Sequence, residues 1–222
     1  MSSAATTGLY GMRISVNVFL TADGVMQGPG GVEEDPSGGF DRGGWLVPYL
    51  DEDFGAIVDG WFARADAILL GRSTYDMMHP YWSQVTDPDN LVAAKLNGLT
   101  KYVVSTTLTD PVWAHTTVIS ADVIDTIRRL KDSEEGELQV HGSCGLAHTL
   151  QDAGLVDEYR LITFPVLVGA GKRLFSDQAP ASGLTVVDSS VTSRGATYAA
   201  YAPESFQVGG MVVEDGREVE TA

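Results

Sequence analysis

Cysteine is almost missing from this chain: Cys144 stands alone among 222 residues. A disulfide framework and a cysteine-based zinc site are both excluded, and a chain without structural disulfides has the cytoplasm as its default compartment. Cations are scarce as well, with 14 Lys and Arg against 30 Asp and Glu and a net charge of −16. That balance argues against broad binding to nucleic acid or to an anionic membrane, because affinity for phosphate is largely electrostatic. It leaves room for one local anion pocket. No apolar run approaches the roughly 20 residues that span a bilayer. The opening residues, MSSAATTGLYG, carry neither a basic region nor an apolar core, so they do not read as a secretory signal. The four histidines (His79, His115, His141, His148) are scattered without H-x-x-x-H or H-E-x-x-H spacing. They read as structural, and no metal site is expected.

Apolar residues make up 44% of the chain, enough for one sizeable domain with a real core. Met12–Gly24 is rich in Val, Ile and Phe and reads as a strand ending in an Asp-Gly turn. Gln27–Trp45 is a long glycine-rich loop, of the kind that is usually functional or mobile. The spacing of Tyr49, Phe54, Ile57, Val58, Trp61 and Phe62 predicts a helix over Pro48–Ala65. Asp66–Gly71 is a buried strand, and a helix from Ser73 is expected to stop at the His79-Pro80 step. Pro88–Gly98 reads as a helix, Lys101–Leu108 and Thr116–Ser120 as strands, and Ala121–Glu134 as an amphipathic helix. Glu137–Gly142 is a strand, Ser143–Gly154 a helix, and Val156–Gly169 a long strand. Leu184–Ala202 is a hairpin that turns near Ser193–Gly195. The alternation is that of an α/β protein with a mostly parallel sheet and an antiparallel edge. Residues 1–11 are expected to form a disordered extension, 12–202 one domain, and 203–222 an acidic tail. That tail either closes a short hairpin on Asp215-Gly216 or stays disordered.

Two places combine a buried strand, a tight turn and a helix start. One is LLGRSTYD (Leu69–Asp76), the other LQVHGSCGLAHTL (Leu138–Leu150). Helix-initial N–H groups with a glycine turn favour a bound anion, and ligands collect at the carboxyl ends of strands in open α/β sheets. Each place also has a plainer explanation. Ser73 would simply cap a helix with Arg72 in solvent, and the glycines around Cys144 would allow close helix–strand packing. The G-x-G-x-x-G fingerprint, the P-loop and the G-x-S-x-G elbow are all absent.

The order of motifs adds a further signal: ISVNVFLTADGVM (Ile14–Met26), AILLGRSTYDMM (Ala67–Met78), KYVVSTTL (Lys101–Leu108), LQVHGSCGLAHTL, and DEYRLITFPVLVGAGKRLF (Asp157–Phe175). Over Met12–Ala202 the chain resembles the dihydrofolate reductase-like superfamily. Within it, the chain is similar to stand-alone relatives of the reductase domain of the riboflavin-biosynthesis deaminase–reductase. The resemblance implies a three-layer αβα fold with a mostly parallel central sheet and a C-terminal antiparallel hairpin. It also implies NADPH as cofactor and a homodimer. Gly71, Arg72, Ser73, Thr74, Ser105 and Thr106 would surround the adenosine phosphates. Gly142, Ser143, Cys144, Gly145 and Leu146 would meet the pyrophosphate. Val18, Phe19 and Met26 would border the nicotinamide. Asp23 becomes the candidate catalytic residue for contacting substrate or assisting protonation, although Asp-Gly is also a common turn. No carboxylate among Asp51, Glu52, Asp53 and Asp59 can be assigned to a pterin ring. The implied reaction is hydride transfer to a C=N or C=O bond of a small pterin- or pyrimidine-type heterocycle, with the Gly28–Gly44 loop as a lid. The alternative is a nucleotide- or ligand-binding protein without turnover on the same fold. A flavin-dependent enzyme ranks third.

Overall fold

Period-two alternation assigns each strand residue to one side of the sheet. Strand β1 (Met12–Thr21) sends Met12, Ile14, Val16, Val18 and Leu20 into one buried cluster, and Ser15, Asn17 and Phe19 to the opposite side. Strand β2 (Ala67–Gly71) splits the same way, with Ala67 and Leu69 on the first side and Ile68 and Leu70 on the second. A sheet that is apolar on both faces must be covered on both. The computed structural model of the chain, which describes residues 11–221, supplies both layers. Apart from Gly11, the extension expected over residues 1–11 lies outside the described residues.

Helices α1 (Glu52–Ala63), α2 (Arg72–Trp82) and α3 (Leu91–Gly98) cover the second side through Trp61, Phe62, Tyr75 and Leu96. Helices α4 (Val123–Ser133) and α5 (Cys144–Asp152) cover the first through Ile127, Leu146, Ala147 and Leu150. The remaining strands are β3 (Thr100–Val104), β4 (Thr116–Ile119), β5 (Gly136–His141), β6 (Glu158–Phe164), β7 (Gly183–Val191) and β8 (Thr197–Glu204). The eight strands run in the order β4-β3-β2-β5-β1-β6-β8-β7. Strands β4 through β6 in that order are parallel, and β8 runs antiparallel to both β6 and β7. This is the three-layer dihydrofolate reductase-like arrangement. Beyond it, β9 (Gly210–Glu214) and β10 (Arg217–Thr221) form a separate antiparallel hairpin. Asp215 and Gly216 both adopt positive φ, as its two-residue turn requires.

The structure departs from three expected boundaries. Helix α2 does not stop before Pro80 but runs to Trp82 with the proline inside. Pro80 falls in the last turn, where its missing N–H removes a single intrahelical bond, and Ser83 N to His79 O at 3.0 Å closes the end. Strand β3 ends at Val104 rather than Leu108, because Ser105 Oγ accepts from Thr107 N at 3.1 Å and Leu108 N at 3.0 Å and turns the chain. Strand β6 ends at Phe164, where Pro165 removes the next ladder donor.

The sequence reading did not anticipate a charged seam beneath α1. Arg160 on β6 is fully buried. It donates Nη1 and Nη2 to the two carboxylate oxygens of Glu137 on β5, at 2.5 and 2.7 Å, and Nε to Glu158 Oε1 at 2.5 Å. Ser15 and Asn17 of β1, between them, also accept from Arg160 Nη1. Burial alone would raise the Glu137 pKa, but hydrogen bonds and charge from Arg160 outweigh it and hold the carboxylate below its ordinary 4.5. A carboxylate with a depressed folded pKa contributes its full stability above its unfolded value and loses it as pH falls through the folded value. Denaturant titrations should therefore show stability declining below pH 4.5, with Glu137 contributing to the decline. Arg160→Ala leaves the half-buried Glu137 without its cation, while Glu158 keeps Arg13, and should cost about 3 kcal/mol at neutral pH in the same measurement.

Candidate functional site

Strands β2 and β5 are paired in parallel through Ala67–Leu138, Ile68–Gln139 and Leu69–Val140, so they leave the sheet side by side. The two glycine turns therefore become one structure. Gly71 N donates to Ser143 Oγ at 2.9 Å, Ser143 N donates to Thr74 Oγ1 at 3.1 Å, and Ser143 Oγ donates to His141 O at 3.1 Å. Gly142 and Ser143 both take left-handed backbone, at φ 56° and 55°. Glycine accepts this freely, whereas serine is strained there and is held by its three hydrogen bonds. The turn aims the start of α5 past the start of α2.

No side chain caps either helix start. Helix α4, which follows β4 at the same end of the sheet, lacks a side-chain cap too. The contrast lies with α1 and α3, which Asp51 and Asn90 cap at 2.7 and 2.9 Å. The expected Ser73 cap is not formed: Gly71 is the cap residue and Ser73 is exposed. Three helices thus present free N–H groups along the carboxyl edge of the parallel strands, where their dipoles favour an anion. A Cβ added at Gly145 would meet nothing within 4 Å, so space is open in front of α5. Arg72 Nε donates to Asp76 Oδ2 at 2.7 Å, and both side chains are partly exposed. A pair of this kind is weak and readily exchanged for another anion.

The other expected residues are placed unevenly. Ser105 is buried and spends its hydroxyl on its own turn, while Thr106 is exposed beside it. Cys144 opens α5 with burial pushing its thiol pKa up, and its Sγ lies 3.3 Å from Arg173 O. Leu146 is a core residue. Val18 and Met26 are buried in the cluster under α4 and α5, while Phe19 lies on the other side of the sheet against Phe54 and Trp61. These three therefore do not share one face. Asp23 is a loop anchor. Thr21 Oγ1 donates to its Oδ1 at 2.6 Å, and Val168 N and Gly169 N donate at 3.3 and 2.7 Å. The Thr21 hydrogen bond foremost, helped by those from Gly169 and Val168, holds the carboxyl below the usual range.

The glycine-rich loop is tied at its base and its tip. Gly44 N donates to Gly28 O at 2.8 Å, buried Trp45 donates Nε1 to Gln27 O at 2.8 Å, and Lys172 pairs with Asp35 at 2.6 Å. Beneath it lies a cavity of about 410 Å³, lined in part by Gln27, Phe40, Arg42, Gly171 and Lys172. A second cavity of about 520 Å³ sits between α2, α3 and the Val112–Ala114 segment, away from the helix starts.

Sequence reasoning set His141 aside as structural. It ends β5 immediately before Gly142, its ring stacks on Phe62 with centroids 4.6 Å apart, and its Nε2 lies 3.0 Å from Gln139 Oε1. The available signal was a polar residue at every second position of a buried strand, Glu137, Gln139 and His141, beside Ser15 and Asn17 on the adjacent β1 and reached across it by Arg160 of β6.

The strand order, parallel from β4 to β6 and antiparallel at its C-terminal edge, is that of an α/β protein of the dihydrofolate reductase-like class. The chain belongs to the RibD C-terminal domain family, whose model matches residues 13–199, and this membership supports a reductase-like role. The uncharacterized protein YyaP of Bacillus subtilis is 29% identical over 202 residues, covering 88% of this chain and 97% of YyaP. A putative riboflavin biosynthesis protein from Shewanella sp. PV-4 superposes with a TM-score of 0.63 at 21% identity, over 87% of this chain and 99% of that one. A pyrimidine reductase-like protein from Corynebacterium diphtheriae gives 0.53 at 13% identity, over 86% and 92%. Acinetobacter baumannii RibD gives 0.60 at 12% identity, and there this chain spans 58% of the longer protein.

Ser143→Ala removes the acceptor for Gly71 N and the tether to His141 O. It should cost about 1–3 kcal/mol. Ser73→Ala, at an exposed position that caps nothing, should stay within about 0.5 kcal/mol. Paired urea titrations measure both.

Proposed function

We propose that this chain is an NADPH-dependent reductase that reduces a C=N or C=O bond of a small heterocycle of pterin or pyrimidine type. The observation that carries the reading is the family match over residues 13–199, which runs through both interlocked helix starts. The donor set fits a dinucleotide. Free N–H groups at α2 and α5 suit the pyrophosphate, and the open space before Gly145 lets it approach the backbone. Arg72 is the nearby cation for a 2′-phosphate, with Asp76 as the anion it gives up. Bound there, NADPH would supply the hydride.

The chain's own residues bind, orient and shield. Helices α2 and α5 hold the phosphates, and the strained Gly142-Ser143 turn keeps their starts in register. The half-buried aromatic side chains of Phe19 and Phe54 offer an apolar wall to a flat ring. Asp23 is ionised and engaged by three donors, so the proton that completes the reduction comes from water. A cytoplasmic homodimer belongs to the same proposal.

The engagement of Asp23 also favours the second reading, a binding protein without turnover. Titration with NADPH, followed by nicotinamide fluorescence, separates the two. Micromolar binding together with oxidation in the presence of a pterin, pyrimidine or flavin-like heterocycle supports the reductase. Binding without oxidation across that set supports the second reading, and absence of binding rejects both as nucleotide proteins. Arg72→Ala should weaken NADPH by about tenfold, or roughly 1.4 kcal/mol, and leave NADH almost unchanged. Equal losses for the two would show that Arg72 does not read the 2′-phosphate.

A further inference from the structure

The charged seam under α1 reaches the candidate site through Gln139. Its Nε2 lies 2.6 Å from Trp61 O and 2.5 Å from Glu137 Oε1. Both neighbours are oxygens that only accept, so the amide nitrogen must face them and the amide oxygen must face the other way. It faces His141 Nε2 at 3.0 Å. Glu137 cannot rotate away, because Arg160 grips both of its carboxylate oxygens. An amide oxygen opposite Nε2 requires a proton on that nitrogen. The ring is then left with Nδ1 bare. Nδ1 has no hydrogen-bond partner among the described residues, and Trp61 Nε1 is the one buried side-chain nitrogen or oxygen among them that lacks one. Nδ1 is therefore not fully enclosed, on a half-buried residue at the carboxyl end of β5, next to Gly142.

We infer that Gln139 is a positioning residue: oriented by Trp61 O and by the Arg160-held Glu137, it fixes His141 as the Nε2–H tautomer and presents Nδ1 to the site as an uncharged acceptor. Resting on the reductase reading, this narrows the ligand class. The group that meets His141 is a neutral N–H or O–H donor, such as a ring amide or amino group, and not a carboxylate or phosphate. The surroundings keep the ring uncharged. Phe62 covers one face from α1, Arg160 on β6 is a cation nearby, and Glu137 on its own strand offsets that charge only in part. Burial foremost, then Arg160, pushes the His141 pKa down to about 3. A bare acceptor at a strand's carboxyl end, held by a relay across three strands, is more than a core histidine needs for packing.

The test is a long-range ¹H–¹⁵N spectrum of imidazole nitrogens in the full chain, with His141 assigned by His141→Asn. The expected wild-type pattern is the Nε2–H tautomer with no titration between pH 5 and 8. Gln139→Met keeps the side-chain volume and removes the fixing oxygen. It should give a mixture of both tautomers in a protein whose circular dichroism remains that of the folded chain. If Gln139→Met fails to fold, the wild-type spectrum alone decides. An Nδ1–H tautomer or a titrating ring in the wild type overturns the inference, as does a folded Gln139→Met variant with an unchanged tautomer. The readout needs neither cofactor nor substrate, so it stands or falls separately from NADPH binding.

Discussion

The centre of the sheet on the face that α1 covers is arranged around one buried guanidinium. Arg160 sits where a parallel sheet ordinarily carries aliphatic side chains, and burying its charge is costly unless every donor is met. Glu137 and Glu158 meet it from two strands, with Ser15 and Asn17 of β1 between. Arg13 also reaches Glu158, at 3.2 Å. The cluster cross-links β5, β1 and β6 on the face that α1 covers. An aliphatic seam would tolerate a slip in register. This one does not, because a shift of one residue would turn every partner to the opposite face.

That rigidity is passed to the carboxyl edge of the sheet. Gln139 lies one pleat beyond Glu137 and His141 one beyond Gln139, so the orientation set by Arg160 reaches the last residue of β5. From there the chain enters two consecutive left-handed residues and a helix. Strained backbone persists only where its surroundings over-determine it. Here Gly71 and Thr74 on the adjacent strand–helix turn supply the bonds that hold Ser143. The two helix starts fix each other, and neither needs a side-chain cap. Their N–H groups remain available to a ligand.

The loops around this edge are anchored in the same manner. Asp23 joins the end of β1 to the Val168–Gly169 segment, and the backbone pairing of Val25 with Arg173 continues that seam. Arg173 O then meets His148 Nε2 of α5 at 3.0 Å. The segment after β6 thereby borders the start of α5, and the glycine-rich loop folds over it through Lys172 and Asp35.

Local pattern determined much of the fold. The alternation of strands and helices, the α1 stripe of Val58, Trp61 and Phe62, the hairpin turning at Ser193–Gly195 and the order of glycine motifs are all written in neighbouring residues, where period and turn chemistry act. The strand–turn–helix form of Gly71–Thr74 and Gly142–Gly145 was legible for the same reason. What escaped depends on residues far apart in the chain. Helix α2 passes through Pro80, because the cost of one missing bond depends on where the helix ends. Asp23 became an anchor, because its partners lie some 145 positions away. The seam from Arg160 to His141 joins β1, β5 and β6, and polar residues alternating on a buried strand give no hint of their partners until the strands are laid side by side. The sequence by itself determined which segments would be strands and helices and where glycine turns join them. Only the tertiary structure decided which side chains those turns bring together, because hydrogen-bond partners and electrostatic environments are set by register across the sheet and not by position along the chain.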